Sequence, residues 1–487
     1  MTGVDRDARL VTIGIDVGTT ETKAGAVSLE GDLVAIARRR HATTADPAAC
    51  RSEQDPEAWW AGLVETVRHV AANASASGFR VGGLCVAGHG PTLVAVDAVG
   101  RAVRPAITWQ DARPAIEAEA MRHRTGVGGW GLGVLPAAAW LERHEPDHAS
   151  QAAWYLNTWE ALALRLTGVA AATHVGAEPD LSPEQLAATG VVNGRVPPPI
   201  VTGSLLGPLR DDVASALGLP VATPVAAGLV DAHASLHGAR MLEPGDAVDV
   251  GGAAGGFGLY WDSPLAASGS FTAPAPLPGL WLVGGAFAAT GAAVDWLRDR
   301  VLAGSLATAD LIAEAGTAAA GADGLIFLPY LAGERSPLWD PAARGAFVGL
   351  TLRHGRPELA RAVLEASAFA IRHLATGIEA AGGRITAMRV CGGPARSLEW
   401  DRIKADVTGY PVEVPRVLET AVVGAAIVAA TAIGARPDLP SAIRTMTAIE
   451  HRIEPDRARR DVYDRGFERY LALSSAIRDG RAEVARA

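Results

Sequence analysis

Three short runs near the start of the chain, LVTIGIDVG, KAGAVSL and LVAIARRR, alternate apolar or small positions with polar ones, and a period of two predicts β-strands. The first two meet at Gly18, Thr19 and Thr20, so the opening reads as strand, tight turn, strand. From Asp55 the pattern changes to that of a helix carrying Trp59 and Trp60. A comparable opening returns after MLEPGD, where DAVDVGG, GFGLYWD and WLVGGAF again alternate β-type runs with glycine turns. This weak internal repeat predicts a boundary near Glu243 and Pro244 and two halves, 1–243 and 244–487. Further β-like runs, GGLCVAG at 82–88, PVAAGLVD at 224–231, GLIFLPYL at 324–331 and AMRVCGG at 387–393, lie beside Ala/Leu-rich helical stretches. The predicted class is α/β. Ligands in such folds gather beyond the carboxyl ends of strands, where Asp16, Gly88, Asp231, Gly251 and Gly392 are expected, with several glycine turns facing one cleft between two domains.

Length and composition narrow the classes. A chain of 487 residues exceeds one simple core, and 49% hydrophobic with 20% charged residues is enough to fill two large ones. The net charge of -9, with no basic run interleaved with aromatics, argues against a nucleic-acid partner. Three scattered cysteines, Cys50, Cys85 and Cys391, form neither a disulfide framework nor a metal pair, so a reducing cytoplasm is the expected setting. The first ten residues lack the apolar stretch of a signal peptide. The greasiest segment, AVVGAAIVAATAIGA at 421–435, is shorter than the roughly 18 residues of a membrane span and reads as a close-packed buried helix. No membrane partner is expected, and a homodimer stays open.

Two motifs mislead. HEPDH at 144–148 satisfies H-E-x-x-H, but Pro146 interrupts the helix that would align His144 and His148 on a zinc ion. TGVGGWGLG contains G-x-G-x-x-G without a strand running into it, and reads as a loop carrying Trp130. His174, His233 and His237 are isolated. The turn after Asp16 is different, because a hairpin still binds phosphate if glycine lets the backbone approach, Thr19 and Thr20 supply donors, and Asp16 holds magnesium through water. An ordinary hairpin turn closed by Gly and Thr is the alternative.

A longer stretch, GAFVGLTLRHGRPELARAVLE at 345–365, resembles the carboxyl-terminal signature of the FGGY carbohydrate kinases at Gly345, Phe347, Gly349, Leu350, Glu358, Leu359 and Ala362 to Glu365. FLPYLAGERSPLWDP is similar to the loop entering that signature. SEQDPEAWW and RPAITWQDAR look like the amino-terminal domain of xylulokinases, and WQDAR is also close to the glycerol kinase form. The resemblance runs from residue 11 to about residue 470. It implies two actin-like ATPase domains of the ribonuclease-H type closing over ATP, and an ATP- and Mg2+-dependent kinase acting on a ketopentose or a related ketose. DVGTTETK, with Asp16, Gly18, Thr19, Thr20 and Lys23, is similar to the family's first phosphate motif. Gly251, Gly252 and Ala253 fall on the second, and Gly392, Gly393 and Ala395 on the adenosine motif. Asp231 falls where the family has its catalytic base, although an aspartate there also caps the following helix well.

The chain also departs from the family. Xylulokinases commonly show Gln-Met-His where this chain has His89-Gly90-Pro91, and Ala253 and Ala254 stand where the second phosphate motif usually carries hydroxyls. His89, Trp109, Gln110, Asp111 and Trp130 are the expected sugar contacts, with Asp231 at the reacting hydroxyl. The alternatives are a kinase for a tetritol, a hexulose or glycerol, or a non-catalytic nucleotide or sugar sensor on the same fold.

Overall fold

The computed structural model describes residues 9–176, 179, 181–192 and 194–484, so the segment weighed as a signal peptide lies almost entirely outside the described residues. The chain forms two compact units. In the first, β1 (Arg9–Val17), β2 (Glu21–Ser28) and β3 (Leu33–Arg40) form an antiparallel meander, as the alternating pattern predicts. β4 (Phe79–Gly88) pairs parallel to β1, and β5 (Leu205–Pro208) and β6 (Pro224–Val230) complete a six-stranded sheet in the order β5-β6-β4-β1-β2-β3. Helix α1 (Pro56–Ala76) starts at Asp55, whose carboxylate accepts from Glu57 N, and a proline follows where no N–H is needed. It buries Trp59, Leu63, Val67 and Val70 against Val11, Ile13 and Ile15 of β1. β6 ends at Val230, and α2 (Asp231–Gly238) begins at the next residue.

The second unit repeats this plan. β7 (Asp246–Gly251) pairs antiparallel with β8 (Gly255–Trp261), which pairs with β10 (Trp281–Phe287), and β9 (Phe271–Pro274) lies on that edge. β11 (Ala387–Gly392) is parallel to β7, and β12 (Val412–Pro415) and β13 (Ile449–Ile453) finish a seven-stranded sheet in the order β9-β10-β8-β7-β11-β12-β13. α3 (Arg356–Ala380) packs Ile371, Leu374 and Ile378 on this sheet, and α4 (Leu398–Thr408) follows β11. Much of the 345–365 stretch therefore does structural work. Glu358 accepts from Gly355 N at 2.8 Å and so caps α3, while Glu365 pairs with Arg361 at 2.9 Å and accepts from the Tyr463 hydroxyl inside the core.

One segment departs from a division near Glu243. Residues Glu419–Ala448 belong with the first unit, where α5 (Thr420–Ala432) covers the other face of its sheet. Small residues make this possible. A Cβ on Gly14 would stand 1.9 Å from Val422 O, and the Thr12 hydroxyl donates to Ala426 O at 2.8 Å. α5 also crosses α2 backbone to backbone, since a Cβ on Gly424 would sit 1.8 Å from Ala234 O. The apolar stretch at 421–435 is thus the buried helix expected, and among the described residues no helix is long and apolar enough to cross a membrane.

Candidate active site

Residues 18–20 turn the chain between β1 and β2, and Gly18 N donates to Glu21 O at 3.1 Å. Asp16 lies one residue from the end of β1, on the face opposite Ile13 and Ile15, because side chains alternate along a strand. Lys23 stands across from it, with Nζ 3.7 Å from Asp16, 3.5 Å from Glu21 and 3.4 Å from Glu419. Glu419 is further tied to Arg38. Burial pushes the Asp16 carboxyl up to about 6; Lys23 opposes this, and Glu419 and Glu21 reinforce it. Burial works against the charge on Lys23, but the three carboxylates outweigh it and hold the ammonium protonated.

Asp231, the first residue of α2, receives the Ala232 N–H on Oδ1 at 2.7 Å. Its carboxyl is pushed up to about 7, first by burial and then by the charge of Asp16, with the Ala232 N–H and Lys23 pulling the other way. A base must be unprotonated to accept a proton. If Asp231 serves as one, kcat/KM for the sugar will fall as pH drops below about 7, approaching tenfold per unit. A profile measured from about pH 5.5 to about pH 8.5 that stayed level down to about 6 would remove this carboxyl from the role.

The residues expected on the sugar side divide. His89 is buried behind β4, its Nδ1 2.9 Å from the Thr92 hydroxyl, its ring edge-on to Trp59 and its Nε2 without a partner. Burial, and then the repulsion a protonated His41 would exert, lower its pKa to about 3, so the ring is neutral. Trp109 joins this group, its backbone N–H donating to Thr92 Oγ1 at 3.2 Å and its indole to Thr19 Oγ1 at 3.3 Å. Gln110 is exposed. The Asp111 carboxylate is enclosed, gripped by Arg113 and by Ser52 N at 2.8 Å, so its lone pairs are already used and its contribution is to hold the loop. Trp130, 60% exposed on the single turn Gly129–Leu132, makes no contact with the hairpin among those described. The H-E-x-x-H stretch is broken as Pro146 predicts: one helix ends at His144, another begins at Pro146, and His148 meets Glu145 instead.

In the second unit the turn 252–254 joins β7 to β8. Its carbonyls are occupied, Gly252 O by Gly291 N at 2.9 Å and Ala253 O by Thr290 N at 3.0 Å. Gly392 ends β11 with φ +79°, and a Cβ there would stand 1.9 Å from Gly251 O, so the two glycine turns are neighbours and only glycine fits the contact. Gly393 is open on its Cβ side, whereas the Ala395 methyl is packed in the core and leaves only backbone to face a ligand. Beneath the turn, Lys404 lies buried between Asp249 at 2.7 Å and Asp401 at 3.3 Å.

Among the described residues no three His, Cys, Asp or Glu side chains are grouped to hold a metal. The fit for magnesium rests instead on Asp16, whose Oδ1 is buried without a hydrogen-bond partner. Mg2+ in phosphate sites keeps several waters and needs only one or two carboxylates. Sequence reading passed over His41, Gln54 and Glu419. Gln54 lay within a quoted stretch, but nothing local marks Glu419, which reaches Lys23 from almost four hundred residues away.

This two-unit plan is matched by two family models. The model of the FGGY carbohydrate kinase N-terminal domain covers residues 11–238, and that of the C-terminal domain covers residues 252–433. The chain belongs to the FGGY family of carbohydrate kinases. It is similar to the xylulose kinase of Escherichia coli K12, 32% identical over 82% of this chain and 85% of that protein, and to the glycerol kinase of Thermus brockianus, 31% identical over 94% and 97%. Among solved structures, the xylulose kinase from Rhodospirillum rubrum superposes with a TM-score of 0.82 at 32% identity, covering 96% of this chain and 99% of that one. This FGGY kinase is an ATP-dependent sugar phosphotransferase with the actin-like ATPase fold.

Proposed function

We propose that this FGGY kinase transfers the terminal phosphate of ATP to a hydroxyl of a ketopentose such as xylulose or of a related ketose, with Asp231 as the base. The observation that carries the reading is a carboxylate on the first residue of α2 whose pKa sits near neutrality beside Asp16 and Lys23. Such a group takes a proton from a sugar hydroxyl without being so basic that it stays protonated. Asp16 would hold Mg2+ through water, and the bound ion supplies charge neutralisation at the phosphates. Gly18, Thr19, Thr20 and Lys23 would meet the terminal phosphates. Gly251, Gly252 and Ala253 offer backbone N–H groups, and Gly392, Gly393 and the Ala395 backbone a surface for the adenosine.

A neutral sugar suits the residues proposed to meet it. The nearby cations are already matched, Arg113 by Asp111 and Glu53 and Arg104 by Glu53 and Glu145, and His89 is uncharged. An aldonate carboxylate would find no free partner in this group, whereas an uncharged sugar needs none and can pack on the exposed Trp109 ring. ADP release measured across ketopentoses, hexuloses, tetritols, glycerol and aldonates tests this. A ketopentose should give the highest kcat/KM, by about tenfold or more over the aldonates. An aldonate or glycerol at the head of the panel would overturn the substrate assignment, and no turnover on any member would overturn the catalytic one.

A further inference from the structure

We propose that Gln54 and His41 are positioning residues that aim the peptide N–H groups of the first hairpin at the nucleotide phosphates, an inference resting on the reading of that hairpin as a phosphate loop. Three successive carbonyls of the turn are each taken by a donor from outside it. Gly18 O accepts from His41 Nε2 at 3.0 Å, Thr19 O from Gln54 Nε2 at 2.7 Å, and Thr20 O from the His41 backbone N–H at 3.1 Å. In a planar trans peptide the C=O and N–H point in opposite directions. Each held carbonyl therefore turns the next N–H, on Thr19, Thr20 and Glu21 in order, away from its holder. The N–H groups of Thr19 and Thr20 donate to no protein group among the described residues. They are free for an anion.

The holders are themselves fixed. Gln54 is 2% exposed, and its Oε1 accepts from the Trp59 indole at 2.8 Å. An indole only donates, so the Gln54 amide has one orientation, with Nε2 shared between Thr19 O and the Thr43 hydroxyl at 2.7 Å. Burial lowers the His41 pKa, and the neutral ring facing a carbonyl must carry its proton on Nε2. Fixing the loop before the nucleotide arrives spares the ordering that binding would otherwise have to supply.

Gln54→Glu separates this role from a packing one. Glutamate has the same shape and still accepts from Trp59, but it presents an oxygen instead of an N–H to Thr19 O. Titration calorimetry with MgADP should show affinity falling about 5- to 10-fold, the loss of one to two hydrogen bonds, with KM for MgATP rising in step. KM for the sugar and kcat at saturating MgATP should stay within about twofold. His41→Leu, which frees Gly18 O without adding charge, should weaken MgADP in the same direction by about 3- to 5-fold. Unchanged MgADP affinity in His41→Leu overturns the proposal, because any effect of glutamate is then charge alone. Equal losses for sugar and nucleotide overturn it as well, by showing a general structural role. Should Gln54→Glu fail to fold, His41→Leu decides by itself. Failure of the wild-type chain to bind MgADP would instead remove the phosphate-loop reading.

Discussion

Replacing Asp231 by asparagine is expected to lower kcat by about 10²- to 10⁴-fold while MgATP affinity stays within about twofold. Phosphoryl transfer is mostly positioning and charge stabilisation, so loss of the base removes part of the rate and not all of it. Asparagine keeps the size of the side chain and its acceptor for the Ala232 N–H. It also caps a helix as well as aspartate does, so a purely structural Asp231 would be replaced almost without cost. The fold should not suffer. Burial pushes the carboxyl up to about 7 from an ordinary 3.8, so folding disfavours its ionised form, and that penalty builds as pH rises from 3.8 to about 7 and is complete above it. Removing the charge removes the penalty, and the variant should melt no lower than wild type near neutral pH. Turnover above roughly a tenth of wild type on the best sugar would be too small a deficit for a missing base and would leave Asp231 as a helix cap.

Gly424→Val is expected to cost about 3 kcal/mol or more in the first unit, through contacts that no side-chain movement relieves. The atoms in the way are backbone: a Cβ at 424 meets Ala234 O at 1.8 Å, and the reciprocal position, Gly238, would meet Thr420 O at 1.9 Å. Inserting side chains at this crossing must part α2 from α5. Both helices start at the chemistry, α2 at Asp231 and α5 one residue after Glu419, the partner of Lys23. Activity should therefore fall even in Gly424→Ala, where part of the fold survives. Two units need not unfold in one step, so the thermal scan should show the earlier transition displaced by several degrees. A melting profile within about 1 °C of wild type would mean that the two helices separate freely.

What the sequence made legible was local. Alternation marked β1 because large residues, Val11, Ile13 and Ile15, face α1 while Thr12 and Gly14 face α5, and the hairpin, the start of α1 and the break at Pro146 each depend on a few consecutive residues. Long-range partnerships were hidden. Asp111 looked available for a sugar because Ser52 N, which occupies it, lies 59 residues earlier. Trp130 looked like a stacking face because a loop tryptophan carries no mark of where its loop will lie. The resemblance pointed to Asp231, but its raised pKa comes first from burial and then from Asp16, 215 residues away in sequence. The FGGY signature pointed to the family while much of its chemistry, Glu358 and Glu365 included, turned out to hold a helix in place.

The return of residues 419–448 to the first unit has a bearing on biosynthesis. A ribosome releases β1 to β6 long before α5, and until α5 emerges one face of that sheet, with Gly14 and Thr12 awaiting Val422 and Ala426, has nothing to close it. The nascent first unit is therefore a half-covered sheet for most of translation, the kind of species that chaperones hold and proteases cut. The second unit up to Leu418 is made in that interval, and it too waits for its own last segment, from Ile449 on, which carries β13 and the core aromatics Tyr463 and Tyr470. For the same reason a fragment cut at Gly238 is a poor candidate for independent expression, whereas one supplied with 419–448 through a short linker regains its missing cover.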